Sequence, residues 1–169
     1  MKMNKRILLA LLGIHFCAFS AGRGTSIDVT VDADMPAKIV IYYKGVDVTS
    51  GEINFPLYVD AGTRKYINTS DYIYLVGNVS QAKIIMESSP FELTSKDAPD
   101  IKMPLNGYFT MNASQTRAEN ERIVPVLAQL SQGSKDNGLK VTFESKERAD
   151  NYGAGGYIGQ FTMIVTPIL

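Results

Sequence analysis

The chain has 169 residues, with 17 Lys and Arg against 17 Asp and Glu, one His, one Cys and no Trp. A formal charge of zero offers no electrostatic hold on a nucleic acid backbone. One cysteine cannot make an internal disulfide, and both His15 and Cys17 fall in a stretch expected to be cleaved, so the remainder lacks thiolate nucleophiles, imidazole bases and soft-metal ligands.

That stretch is residues 1–20. Lys2, Lys5 and Arg6 form a basic start and residues 7–14 a short apolar core, followed by small residues at Ala18, Ser20, Ala21 and Gly22. This is the pattern of a secretory signal peptide. The apolar run is too short to cross a bilayer. Cleavage after Ser20 is preferred to cleavage after Gly22. Loss of the three basic residues leaves 14 basic against 17 acidic side chains, a charge of minus three. The remaining chain fits one domain with a sizeable core.

Residues 25–33 come next and carry the strongest pattern. Ile27, Val29, Val31 and Ala33 lie on one side of an extended chain, with Asp28, Thr30 and Asp32 on the other. A mature N-terminus is normally polar and frayed. This one has the form of a strand made to enter a hydrophobic groove.

Strand signals dominate the rest. Residues 37–43 are rich in branched and aromatic side chains, and Pro36 separates them from the opening segment. Further strands are expected over residues 52–59, 72–76, 82–86, 104–111, 123–127, 139–143 and 157–167. Turn formers fall between them at Gly45, 50–51, 60–62, 77–78, 95–100, 106–107, 136–138 and 151–156. That spacing argues for an all-β sandwich. Residues 115–130 read as an irregular or briefly helical segment leading to a short edge strand. Residues 117–122 have helix-forming composition, but Pro125 would cost about 3 kcal/mol inside a helix.

The last expected strand divides by parity. Tyr157, Gly159, Phe161, Met163 and Val165 share one face; Ile158, Thr162, Ile164 and Thr166 lie on the other. Both faces are partly apolar, as in an interior or interface strand. Nine tyrosines suit subunit contacts or a carbohydrate surface, because the ring packs while the hydroxyl stays wet.

Motifs for chemistry fail. Residues 153–156 (GAGG) precede a strand, not a helix, so no phosphate cradle follows. Glu92, Asp97 and Asp100 lack the spacing of a calcium loop. No carboxylate pair has a context suited to acid–base work. No catalytic, cofactor or metal residue is expected, and the chain does not read as an enzyme.

A free alternating segment can pair within its own domain or complete a neighbouring copy by β-strand addition. The sequence resembles the major subunits of the alpha-type, or class 5, chaperone–usher fimbriae, the enterotoxigenic colonisation-factor pilin family. The resemblance runs through residues 26–34 (SIDVTVDAD), 82–87 (AKIIME), 89–93 (SPFEL), 101–107 (IKMPLNG) and 154–166, where Ala154, Gly155, Tyr157, Gly159 and Thr166 fit the terminal pattern A-G-x-Y-x-G-x6-T. It implies an incomplete immunoglobulin-like β-sandwich over residues 36–169, completed by a donor strand from a neighbouring subunit. Residues 21–35 would be the donor extension, with Ile27, Val29, Val31 and Ala33 as its inserted side chains. The implied function is a structural subunit polymerising by donor-strand exchange into an extracellular, cell-surface filament used for adhesion. The implied partners are copies of itself or related pilins, a periplasmic chaperone, an outer-membrane usher and a tip adhesin. Residues 112–138 show no match to the family. The competing reading is a monomeric secreted β-sandwich that binds a ligand such as a carbohydrate.

Overall fold

A computed structural model describes residues 35–87 and 90–169. The donor residues Ile27, Val29, Val31 and Ala33, and the signal segment, lie outside the described residues.

The described chain is built from antiparallel strands: β1 (Ile39–Tyr43), β2 (Val46–Asp47), β3 (Tyr58–Val59), β4 (Lys65–Thr69), β5 (Ile73–Gly77), β6 (Gln81–Met86) and β7 (Glu92–Ser95). They continue with β8 (Lys102–Met111), β9 (Ser114–Arg117), β10 (Arg122–Pro125), β11 (Lys140–Arg148), β12 (Tyr157–Ile158) and β13 (Met163–Ile168). Two 3-10 turns, Leu130–Gln132 and Ala149–Asn151, are the described helical pieces. No described helix is long and apolar enough to cross a membrane.

Three ladders form. One runs β2-β1-β5, a second β10-β6-β13, and the largest β12-β7-β8-β11-β4-β3, with β9 folded back on β8. Their inward side chains meet in one core. Met103, Leu105 and Phe109 of β8 and Val141 and Phe143 of β11 face Ile73 and Leu75 of β5 and Ala82, Ile84 and Met86 of β6 in a single buried cluster. β8 shows why the pattern works: buried residues alternate along it, so every second side chain is withdrawn from water. A fully buried residue of this size contributes about 1.5–3 kcal/mol. Tight hairpins set the registers. Lys44 and Gly45 (φ 51° and 79°) turn β1 into β2, and Asn112 and Ala113 (φ 46° and 59°) turn β8 into β9. Consecutive positive φ values match the twist of two-residue hairpins.

Several expectations need correction. Residues 106–107 are not a turn: Gly107 lies inside β8, opposite Phe143 of β11. A Cβ there would sit 2.8 Å from the Phe91 ring and 3.0 Å from the Phe143 ring, so glycine makes room for the two aromatics. Residues 117–122 are not helical. Arg117 ends β9, Ala118 is fully buried, and Arg122 opens β10. The Arg122 guanidinium donates to the carbonyls of Phe109, Met111 and Ser114 and to the Thr116 hydroxyl, at 3.0–3.3 Å, and so ties β10 to the β8–β9 hairpin. Residues 157–167 are two strands, not one. β12 pairs with β7 and β13 with β6, and the chain changes sheets between them. Gly159 sits at the change, where a Cβ would lie 2.8 Å from the Glu92 carbonyl oxygen and 2.8 Å from Leu93 Cδ2. Of residues 52–59, only Tyr58–Val59 joins a ladder among the described residues.

Candidate functional site

β13 lies at the margin of its sheet. Its backbone parity follows from one bond: the Glu87 N–H donates to the Thr162 carbonyl at 2.9 Å. With Ile164 opposite Ile85 and Thr166 opposite Lys83, residues 162, 164, 166 and 168 turn their amides toward β6. Met163, Val165 and Pro167 therefore turn theirs away, where β13 has no ladder partner among the described residues. Pro167, which has no N–H to offer, stands at a position where β6 needs none.

The side chains of this segment alternate as well. Phe161, Met163 and Val165 are half-buried and packed against the core, while Thr162, Ile164 and Thr166 are exposed. An inward apolar row that remains half-buried lacks cover on one side.

Residues 52–57 have the same character. Ile53, Phe55 and Leu57 are half-buried and alternate with exposed Glu52, Asn54 and Pro56. The alternation is that of a strand, yet no ladder takes it up among the described residues. Asn68 Nδ2 donates to its Pro56 carbonyl at 2.7 Å.

Two observations bring these segments together. Gln160 Nε2 donates to Glu52 Oε1 at 3.2 Å. The Phe55 and Phe161 rings both lie against Phe143, at centroid distances of 5.9 and 4.8 Å, with Phe91 a further 5.3 Å from Phe161. The two segments are the rims of what we term the slot: extended backbones whose outer amides have no ladder partner among the described residues, with an aromatic cluster seated over Gly107 at one end. Chemically it offers main-chain donors and acceptors at strand spacing above an apolar trough, which suits one further β-strand. Among the described residues no three His, Cys, Asp or Glu are grouped to hold a metal.

The expected C-terminal residues are thus divided. Phe161, Met163 and Val165 line the slot. Tyr157 pairs with Ser95 of β7, packs on Tyr152 at 6.2 Å and donates its hydroxyl to the Gly153 carbonyl at 3.2 Å. Gly159 is the exposed joint between them. Sequence reasoning did not place Ile53, Phe55 and Leu57 in the site, because they read as an ordinary paired strand. Pro56 within that run was the available sign that one side of it would stay out of a ladder.

No protein-family model matches the sequence, and no curated protein matches it. Among solved structures the chain is similar to one from a chaperone–tip adhesin complex described as vital for synergistic activation of CFA/I fimbriae biogenesis. The identity is 17% and the TM-score 0.49, over 78% of this chain and 42% of the other. The chain therefore spans less than half the length of that solved chain.

Proposed function

We propose that this chain is a structural subunit of a bacterial surface fimbrium used for adhesion, joined to its neighbours by donor-strand exchange. What supports the reading is that two alternating apolar segments without a ladder partner among the described residues, 52–57 and the outer margin of β13, meet around Phe143; we read them as the rims of an incomplete immunoglobulin-like sandwich that takes one more strand. The sequence supplies a matching strand in residues 25–33. Inserted in the slot of the next copy, Ile27, Val29, Val31 and Ala33 cover Phe55, Leu57, Met163 and Val165. Each buried Ile or Val contributes about 1.5–3 kcal/mol, and the ladder bonds add to this. Repeated head to tail, with a rotation that does not close a ring, the contact builds a filament.

An uncovered slot and an unpaired margin invite aggregation. The subunit therefore travels through the periplasm with a chaperone over the slot, is passed to an outer-membrane usher, and joins related pilins below a tip adhesin.

Deleting residues 25–33 is the direct test. The expected result is a folded, chaperone-bound subunit that makes no filaments and no detergent-resistant ladders. Normal fibres from the deletion would refute the donor role. Val29→Asp is the finer variant, since one unpaired carboxylate buried in the slot costs several kcal/mol and should block joining without touching the fold of residues 35–169.

A further inference from the structure

Beyond the expected signal segment, which takes Met1, Met3 and Cys17 with it, the chain carries sulfur in methionine alone: Met35, Met86, Met103, Met111 and Met163. Methionine is oxidised where an oxidant reaches its thioether, and the product is a polar sulfoxide. Met103 is 2% exposed and Met86 7%, so both are shielded, while Met35 at 80% stands in the open. Met111 and Met163 are half-buried against the core.

The two half-buried methionines differ in where they stand. Met111 closes β8 at the hairpin to β9, and its carbonyl accepts from the Arg122 guanidinium. Met163 lies between Phe161 and Val165 in the inward row of the slot, opposite Met86 in the β13–β6 ladder. Both partners turn their amides away from that ladder, and the Met86 N–H donates instead to the Ala118 carbonyl at 2.8 Å. Theirs is therefore a non-hydrogen-bonded pair, the kind in which opposite side chains stand closest. Two neighbouring thioethers thus share one face of one sheet and differ in cover. The chain at buried Ala118 runs beside Met86, whereas no ladder partner runs beside Met163 among the described residues.

We propose that Met163 is an oxidation site that governs the slot: its sulfoxide bars an incoming strand, and an inserted strand shields its thioether. This inference rests on the strand-exchange reading of the slot. The oxidant is a small peroxide. A sulfur lone pair attacks one oxygen of hydrogen peroxide, and the S–O bond forms as the O–O bond breaks. The departing hydroxide takes the proton from the new S–OH group and leaves as water. Sulfur gives up two electrons and the peroxide gains them.

The consequence follows from the surroundings. In the open slot, water supplies the hydrogen bonds that a sulfoxide oxygen accepts. Under an inserted strand, with Phe161 and Val165 on either side in the row, that oxygen is buried among apolar groups and left unpaired. The free chain therefore bears the modification at little cost and the joined pair does not. The loss in joining is about tenfold or more. Met86 and Met103 lie beneath the sheets and stay reduced in either state.

The test exposes the whole secreted chain, freshly refolded, to hydrogen peroxide before and after it joins, and maps its peptides by mass spectrometry. Before joining, Met163 should oxidise several-fold faster than Met86 and Met103, with Met35 fastest. Chains oxidised at this stage should form about tenfold fewer detergent-resistant ladders. Met163→Leu, which keeps an apolar side chain of similar volume, should form them normally after the same treatment. In fibres already joined, Met35 should oxidise and Met163 should not. The proposal is overturned if Met163 oxidises no faster than Met86, or if chains carrying its sulfoxide join as before. It is equally overturned if oxidised Met163→Leu loses its ladders, or if Met163 oxidises in fibres as fast as in free chains. Those results leave strand exchange standing. If the untreated chain makes no ladders at all, the strand-exchange reading falls and this control of it falls too.

Discussion

A proline at Val165 tests the slot through the backbone alone. Val165 turns its N–H away from β6, at the same parity as the nitrogen of Pro167 two residues later, so the Val165→Pro substitution removes no ladder bond from the free chain. The expected loss of subunit stability is about 1 kcal/mol or less. For an incoming strand the same change is severe, because the carbonyl meant for that N–H is buried without a partner. That costs about 1–3 kcal/mol, or roughly five- to 150-fold in affinity. Thr166→Pro is the opposite control: it strikes the ladder to Lys83 and should destabilise the subunit itself by about 1–3 kcal/mol. The assay is calorimetric binding of a peptide of residues 25–33 to a subunit lacking that segment, alongside thermal melts. If Val165→Pro binds the peptide as well as the parent, or melts as early as Thr166→Pro, the assignment of the open margin is wrong.

Two further predictions concern the frame that carries the slot. Ser145 is fully buried, accepts from the Tyr66 N–H at 3.0 Å and donates to the Glu147 carbonyl at 2.6 Å. Ser145→Ala orphans both groups and should cost about 2–4 kcal/mol in chemical denaturation; a loss under about 1 kcal/mol would mean that water reaches the site. The Asp60 carboxyl is held below its ordinary range by the Thr63 N–H, then the Thr63 hydroxyl, with the Gly62 N–H adding to them. Its folded form binds protons less readily than the unfolded chain, so this stabilisation is present above the ordinary carboxylate range and is lost as pH falls through the depressed value. Melting temperature should therefore fall on acidification below about pH 4, and Asp60→Asn should flatten part of that slope; an unchanged slope refutes it.

The strands with strong apolar alternation were legible in the sequence, and the relations between strands were not. β6 and the second half of β8 stand where branched and aromatic residues announce them. β4 (KYINT) and β9 (SQTR) are too polar to announce themselves, and they form because β11 and β8 offer ladders. Residues 117–122 carry helix formers, but burial of Ala118 and the four acceptors around Arg122 outweigh a propensity worth tenths of a kcal/mol per residue. In residues 157–167 the extended pattern runs on unbroken. The break at Gly159 is dictated by Glu92 and Leu93, which are remote in sequence. For the slot, the parity of Phe161, Met163 and Val165 could be read directly. That residues 52–57 face them without a ladder could not, because pairing is a property of two segments.

The sheet β10-β6-β13 ends in a proline on each side: Pro125 in β10 and Pro167 in β13. The Val126 N–H donates to the Ser80 carbonyl, so Pro125 turns its missing donor outward just as Pro167 does. Neither border can be extended by an indefinite run of stacked chains, since each would soon meet a ring where a hydrogen is required. On β13 the permitted stretch is Met163 to Val165, two donors long. Such a border accepts a short visitor in one alignment and rejects amyloid-like growth.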